Sequence, residues 1–393
     1  MAVEKPHLLS RDLLNFIHSV PDYRRMNKGN CKHKLSDMLL LVILARACGC
    51  ETRKDIVAFG TIHLSYLQDH LGILAKGCPS EPTLCRMEGG IDDITLASLV
   101  STLSRKYVSE HDGTNRRHIA IDGKFMLGTK IGDGRSPDVV TAFSVTDRLP
   151  LDTEMCEVKS NEIKAAPKII ERADYMNGCV ITADAMSCQS SIIKGIVGKG
   201  ADYLIALKAN QKAARWSVED IVPTLRPNDE WKSEWELAHG RLYQRRCRVY
   251  SDISGIKALE KFLNVKAVVT IDTHTIEKNS GTEQSQTRYY ITSLEEGAQT
   301  LDRISRMHWG IENNLHWTLD ARMSQDRTKR KETKSARNLD SIQKLVYIIY
   351  TIASKKHLPE AIRKRKELLK VKFSAIASYA KNSLAYAISL LSL

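Results

Sequence analysis

The sequence has no apolar run long enough to cross a membrane. Its longest run, Met38 to Ala47, is about half of the ~20 residues that a spanning helix requires. The nine cysteines are odd in number and include no Cys-x-x-Cys pair, and the first residues lack the apolar segment of a secretory signal. We therefore expect a cytoplasmic protein with reduced thiols and no membrane span.

Acidic residues are in deficit. The 393-residue chain contains 46 Asp and Glu against 59 Lys and Arg, which gives a formal net charge of +13. An excess of positive charge favours a polyanionic partner, and nucleic acid is the leading candidate, ahead of an anionic membrane surface. The length allows two or three domains.

The N-terminal part of the chain favours helices. Apolar residues recur three and four positions apart over 12–20, 35–48, 53–71 and 83–87, with glycine or proline between these segments. We expect residues 1–112 to form a helical domain for DNA binding or assembly. Thr83 and Arg86 follow a short turn, as in a helix-turn-helix recognition element, although a capped surface helix has the same pattern.

Short β-branched runs begin after Arg116. Strands predicted at 118–122, 139–145, 152–158, 179–184 and 201–208 alternate with helices at 162–175 and 190–197. This order predicts an α/β fold in which helices cover a mixed sheet, with residues 113–211 as its first part. Residues 212–296 are predicted to be a β-rich insertion with almost no helical periodicity. Residues 297–345 complete the sheet domain with a helix at 299–323, and residues 346–393 form a basic helical tail.

The helix at 299–323 carries an unusual polar stripe. His308, Glu312, His316 and Asp320 follow one another at four-residue steps, and Glu312 falls within the apolar face. That face consists of Ile304, Met307, Ile311, Leu315, Leu319 and Met323. Because a carboxylate at the edge of a core requires a cation or hydrogen-bond donors, the pattern indicates a charged partner for Glu312.

Two aspartates end apolar strands. Asp122 is followed by Gly123, and Asp184 closes the run CVITAD. Because α/β sheets present functional groups at strand ends, Asp122, Asp184 and Glu312 converge if the 299–323 helix crosses these strands. Three carboxylates at close range need a counter-cation, and hard oxygen ligands select Mg²⁺ or Mn²⁺, with two ions per site. Either aspartate alone is more simply a turn residue.

Glu312 also has explanations that involve no catalytic metal. An ion pair with Arg306 or Arg322 would neutralise its charge. A zinc ion bound by His308, Glu312 and His316 is a further alternative, although four-residue steps bring only pairs of these side chains together.

Eight short motifs occur along the chain in a characteristic order. They are VPDYRR at 20–25, HKLSDMLLL at 33–41, AIDGK at 120–124, ITADAMSCQ at 181–189, LKANQ at 207–211, HGR at 239–241, RYYITS at 288–293 and HWGIENNLHWTLD at 308–320. In order and spacing they resemble the DDE transposases of the ISAs1 insertion-sequence family, the group that includes the H-repeat-associated proteins. The resemblance covers residues 10 to 350, approximately.

The resemblance implies an RNase H-like catalytic domain in which Asp122, Asp184 and Glu312 form the metal-binding triad. It implies two Mg²⁺ or Mn²⁺ ions per site and double-stranded DNA, both terminal inverted repeats and target, as the partner. A homodimer or higher assembly on DNA and a bacterial, nucleoid-associated location follow from the same resemblance. The wider IS4-like group commonly has Arg and Lys where this chain has His308 and Leu319, so we expect His308 to replace that Arg at phosphate.

Further residues are predicted DNA contacts. They are Lys124, Lys208, Asn210, Gln211, His239 and Arg241, together with Asn313, His316 and Trp317 of the helix. The basic run Arg327, Lys329, Arg330 and Lys331 is predicted to neutralise phosphates, as is a second run within 363–372, although such runs are usually solvated helix faces. Trp309 and Trp317 fit base stacking, but we expect them to pack against the sheet.

The sequence therefore predicts a DNA transposase that cleaves transposon ends and transfers the 3′-hydroxyl strand to target DNA. A catalytically silent or domesticated DNA-binding protein and a metal-dependent nuclease without strand transfer are the alternatives. The intact triad favours the active transposase.

Overall fold

The structure is a computed structural model that describes residues 10–25, 31–109, 116–129, 137–156, 162–238, 240–356 and 373–392. Helices precede the sheet, as predicted: α1 (Arg11–Ser19), α2 (Leu35–Ala47), α3 (Arg53–Ile62), α4 (Leu64–Leu71), α5 (Glu81–Gly90) and α6 (Asp93–Arg105). The apolar run in α2 is buried from Met38 to Ala47, so it forms the centre of the helical part. None of the helices in these ranges combines the length and apolar character needed to cross a membrane.

One mixed sheet organises the rest of the molecule. Its first strands are β1 (His118–Phe125), β2 (Asp138–Ser144), β3 (Leu149–Met155), β4 (Val180–Ala183) and β5 (Asp202–Leu207), with α7 (Glu162–Arg172) and α8 (Ser190–Gly198) between them. The spatial order is β3-β2-β1-β4-β5, in which β1, β4 and β5 are parallel and β2 and β3 are antiparallel neighbours. The predicted α/β class and RNase H-like arrangement are confirmed.

The β-rich insertion continues this sheet. Its strands are β6 (Asp229–Lys232), β7 (Glu236–Ala238), β8 (Arg241–Tyr250), β9 (Ala267–Glu277) and β10 (Glu283–Thr292). β10 pairs antiparallel with β5, with Tyr289 opposite Leu207, so the insertion extends the sheet edge. The expectation that 212–296 is nearly free of helix is wrong at α9 (Lys212–Ile221), where Ala214 and Val218, four residues apart, supply a short buried face.

The predicted helix at 299–323 is interrupted. α10 (Ala298–His308) leads into a π-helical segment, Ile311–His316, before α11 (Trp317–Ala321). Asn314 donates its side-chain amide to the carbonyl of Gly310 at 2.7 Å, a local contact of the kind that widens a helical turn. Gly310 itself lies against the sheet, because a Cβ there would be 2.7 Å from Val145.

The C-terminal helices close the fold. They are α12 (Thr333–Lys356), α13 (Phe373–Asn382) and α14 (Leu384–Leu390). Leu345 and Val346 of α12 share one hydrophobic core with Leu41 of α2 and Ile121 of β1. The tail predicted to begin at residue 346 is thus the second half of a buried helix that joins the helical part to the sheet. The second basic run, within 363–372, lies outside the described residues.

Candidate active site

A cavity of about 590 Å³ lies at the carboxyl ends of β1, β4 and β5. Asp122, Asp184 and Glu312 all line it, as does Lys208. Side chains alternate between the faces of a strand, and Ala120 packs beneath Ile311 and Leu315, so Asp122 projects toward the helix that carries Glu312. The structure therefore brings the three predicted carboxylates to one cavity.

Asp122 lies within β1, opposite Thr141 of β2; the expectation that it ends the strand is wrong, because the pairing with β2 continues to Phe125. Its Oδ2 lies 3.7 Å from Nδ1 of His316, a buried ring. Loss of hydration, together with nearby Lys344 and Lys124, lowers the pKa of His316 to about 3, so this imidazole is neutral at pH 7. The expectation that His316 contacts DNA is corrected: its burial places it beneath Asp122 and away from the solvent.

Asp184 directly follows β4 and begins the turn Ala185–Ser187. Burial raises the pKa of Asp184, but the backbone N–H of Ala185 and the Lys208 ammonium, 3.0 Å from Oδ1, outweigh it and leave the pKa below its ordinary value. Asn210 donates to the carbonyl of Ala185 at 2.6 Å, and Gln211 donates to that of Cys188 at 2.8 Å. These two predicted DNA contacts instead fix the loop that presents Asp184.

Glu312 is exposed at the start of the π-helical segment. The expectation that it falls within the apolar face is wrong, because that segment turns Glu312 toward the cavity while Ile311 and Leu315 stay buried. Partial loss of hydration, and then the negative charge of Asp184, raise the pKa of Glu312. This like-charge effect is the repulsion that a bound cation would relieve.

The alternative partners of Glu312 are engaged elsewhere. Arg306 pairs with Glu236 at 2.9 Å, and the guanidinium of Arg322 lies 5.0 Å from the ring of Trp317. Within the described ranges, no three His, Cys, Asp or Glu side chains are grouped closely enough to hold a metal, and this applies to the triad as well as to His308, Glu312 and His316. The triad carboxylates nevertheless supply the hard oxygen donors that Mg²⁺ and Mn²⁺ prefer.

His308 forms part of the cavity wall as a neutral ring. Its Nδ1 lies 3.0 Å from Oγ1 of Thr182, which also contacts Nε2 of His118 at 2.7 Å. Burial lowers the pKa of His308 to about 4. The expectation that His308 replaces an Arg at phosphate is therefore corrected, because this side chain offers a hydrogen bond but no positive charge at pH 7.

Lys124 lies between two carboxylates. Its Nζ is 2.8 Å from Oδ1 of Asp320 in α11 and 2.9 Å from Oδ1 of Asp326, and its side chain is only 10% exposed. The predicted DNA contact is corrected, because the ammonium is already neutralised within the protein. Lys124 instead joins the strand of Asp122 to the segment that follows Glu312.

The cavity continues to an aromatic and basic wall that the sequence did not reveal. Arg288 of β10 lies 5.6 Å from the ring of Trp309, and Arg215 of α9 lies 4.1 Å from that of Tyr289. Trp309 and Trp317 are 41% and 52% exposed, so the expectation that they pack against the sheet is wrong. The RYYITS motif contains Arg288 and Tyr289, and only the pairing of β10 with β5 brings them to the cavity.

The other predicted DNA contacts include both exposed and buried side chains. Arg327, Lys329, Lys331, Asn313, Arg241 and Arg86 are exposed, whereas His239 lies outside the described residues. Arg330 is buried and pairs with the carboxylate of Glu88 at 2.9 Å, so its assignment to DNA is corrected. Thr83 and Arg86 lie in α5, bonded to each other at 3.2 Å. Whether the exposed residues touch DNA stays a prediction.

The fold and site define a class: an RNase H-like protein with two aspartates and one glutamate in a single cavity. The chain belongs to the DDE transposase family. The family model described as "Transposase DDE domain" matches residues 113–349, and a second, "DDE_Tnp_1-associated", matches residues 14–103. The resemblance stated from the motifs is thereby confirmed.

Known relatives span most of the chain. "H repeat-associated putative transposase YhhI" of Escherichia coli K12 is 31% identical over 87% of this chain and 90% of its own. "Putative transposase YncI" of Escherichia coli O157:H7 is 30% identical over 85% and 86%. A solved piggyBac transposase synaptic complex with hairpin DNA aligns over 98% of this chain and 82% of its own, at 10% identity and a TM-score of 0.43, too slight a likeness to add to the fold assignment.

Proposed function

We propose that this protein is an active DNA transposase that cleaves DNA at transposon ends and joins the freed 3′-hydroxyl to target DNA. The observation that carries the proposal is the meeting of Asp122, Asp184 and Glu312 in one cavity of a chain that belongs to the DDE transposase family. The triad is intact, which favours an active enzyme over a catalytically silent DNA-binding protein.

The three carboxylates are the groups we propose for metal binding. Asp122, Asp184 and Glu312 would hold two Mg²⁺ or Mn²⁺ ions, which, when bound, activate a water or 3′-hydroxyl and stabilise the leaving oxygen. The chain's own residues keep these carboxylates in place: Asn210 fixes the Asp184 loop, and the neutral His316 lies against Asp122.

The surroundings of the cavity suit a DNA strand. Arg288 and the exposed Trp309 form a wall that offers both a positive charge and an aromatic face to a nucleotide. The exposed Arg327, Lys329 and Lys331 follow the catalytic helix, and the net charge of +13 favours a polyanion. We further propose that the protein binds terminal inverted repeats and target DNA as a homodimer or higher assembly in the bacterial cytoplasm, at the nucleoid.

A joining assay tests this function. The protein is incubated with labelled duplexes that carry candidate end sequences, a target plasmid and Mg²⁺, beside Asp122→Asn. Glu295→Gln serves as the matched control, because Glu295 is a solvent-facing carboxylate whose contact is the surface Lys266. We expect joined products with the parent and the control and none with Asp122→Asn. Cleavage without joining would identify a nuclease, binding without either a silent binder, and joining by Asp122→Asn would contradict the site assignment.

A further inference from the structure

Lys208 occupies the position next to Asp184 where a cation is needed. Its Nζ lies 3.0 Å from Oδ1 of Asp184, and both side chains line the cavity that also contains Asp122 and Glu312. The pair is open to solvent, since 61% of the Lys208 side chain and 44% of the Asp184 side chain are exposed. An ion pair this exposed is weak and readily exchanged.

The backbone around Lys208 is fixed, although its side chain is not. Lys208 directly follows β5 in an extended conformation and precedes the turn Ala209–Gln211. Asn210 and Gln211 both bond to the Asp184 loop, so the Cα of Lys208 keeps its place when the ammonium moves. A flexible four-carbon side chain on a fixed base can exchange one anionic partner for another within the same cavity.

We propose that Lys208 is the internal counter-ion of Asp184 in the metal-free protein, and that a divalent cation displaces it so that it contacts a DNA phosphate. This inference rests on the proposed function, because it takes Asp184 as a metal ligand. The displacement follows from charge: a divalent ion attracts the Asp184 carboxylate, and also Asp122 and Glu312, more strongly than one ammonium does. The lysine thus offsets the charge of Asp184 in the metal-free site and becomes a phosphate contact in the occupied one.

The competition has a measurable consequence. Metal binding in the parent must break the Lys208–Asp184 pair, whereas metal binding in Lys208→Met does not. For an exposed pair the difference amounts to an affinity change of about two- to fivefold. Lys261→Met is the matched control, because it removes the same charge near the same loop. The Lys261 ammonium donates to Gln211, three residues after Lys208, and does not contact Asp184.

The test is a titration of the full chain with Mn²⁺ in the absence of DNA, in which electron paramagnetic resonance measures the concentration of free Mn²⁺. We expect Lys208→Met to bind Mn²⁺ about two- to fivefold more tightly than the parent, and Lys261→Met to change the affinity much less. Asp184→Asn is included because it should weaken Mn²⁺ binding if Asp184 is a ligand. Circular dichroism checks that each variant is folded, which the exposure of Lys208 favours.

A second readout follows the lysine to DNA. At a fixed Mg²⁺ concentration, Lys208→Met should reduce the magnitude of the slope of log affinity against log salt by about 0.9, the value for one phosphate contact. When no divalent ion is present, the substitution should leave this slope unchanged. Unchanged or weaker Mn²⁺ binding by Lys208→Met, with Asp184→Asn impaired, would overturn the counter-ion role alone. Full Mn²⁺ binding by Asp184→Asn would instead overturn the metal site of the proposed function.

Discussion

Replacing Lys124 with methionine should weaken the fold without altering the ionic contacts with DNA. Lys124 lies 2.8 Å from Asp320 and 2.9 Å from Asp326, and its side chain is 10% exposed. Methionine keeps most of the apolar length of the side chain but removes the ammonium. The change therefore leaves two carboxylates facing each other without their shared cation.

The stability lost in Lys124→Met lies between two limits. Breaking a fully buried ion pair costs about 3–5 kcal/mol, and losing an exposed one costs about 0–1 kcal/mol. The side chains of Asp320 and Asp326 are 34% and 27% exposed, so water screens part of their repulsion. We expect Lys124→Met to lower the free energy of unfolding by about 2 kcal/mol.

Two measurements on the same variant separate this role from DNA contact. Urea unfolding, monitored by tryptophan fluorescence, gives the free energy of unfolding. Binding to a non-specific duplex at several salt concentrations gives the slope of log affinity against log salt. Lys124→Met should lose stability and keep the parental slope. Lys331→Met, at an exposed position, should keep the stability and lower the slope by about 0.9. A normal stability together with a reduced slope for Lys124→Met would refute the reasoning.

Three other perturbations have expected outcomes. Glu88→Ala should lower the free energy of unfolding by about 3–5 kcal/mol, measured in urea, because it leaves Arg330 buried without its carboxylate partner; a loss below about 1 kcal/mol would contradict the buried pair. Burial lowers the pKa of His118 from 6.5 to about 3, so the unfolded chain binds a proton that the folded chain does not. The stability that His118 contributes is present above about pH 6.5 and is lost as pH falls toward 3, and a stability curve that His118→Asn leaves equally steep would count against this. Trp309→Ala, at a 41% exposed position, should change stability by less than about 0.5 kcal/mol but reduce affinity for single-stranded DNA, measured by fluorescence anisotropy; unchanged affinity would remove the cavity wall from the DNA-binding surface.

The strand pattern and the two aspartates could be predicted because they depend on local sequence. The apolar run that ends at Asp184 specifies the buried strand β4 and its end, whereas β1 continues to Phe125, beyond the end predicted at Asp122. The orientation of Glu312 could not be predicted from an ideal helical period. It depends on a π-helical segment that arises beside the contact between Asn314 and Gly310, and on the close approach of Gly310 to Val145.

The roles of the basic residues could not be predicted for a different reason. Lys124 and Arg330 look like DNA contacts in the sequence, but their partners Asp326 and Glu88 are 202 and 242 residues away along the chain. No local pattern reveals such a partner, whereas exposure in the folded protein does. The same holds for Arg288, which reaches the cavity only through the pairing of β10 with β5.

The central claim is that Asp122, Asp184 and Glu312 act as one catalytic unit. The most direct measurement is the rate of Mg²⁺-dependent strand joining by Asp122→Asn, Asp184→Asn and Glu312→Gln, each compared with the triple variant. Groups that act together lose nearly all activity when any one is removed, so each single variant should be about as inactive as the triple. A single variant that joins DNA at a rate near that of the parent, or losses that multiply from one substitution to the next, would contradict the account.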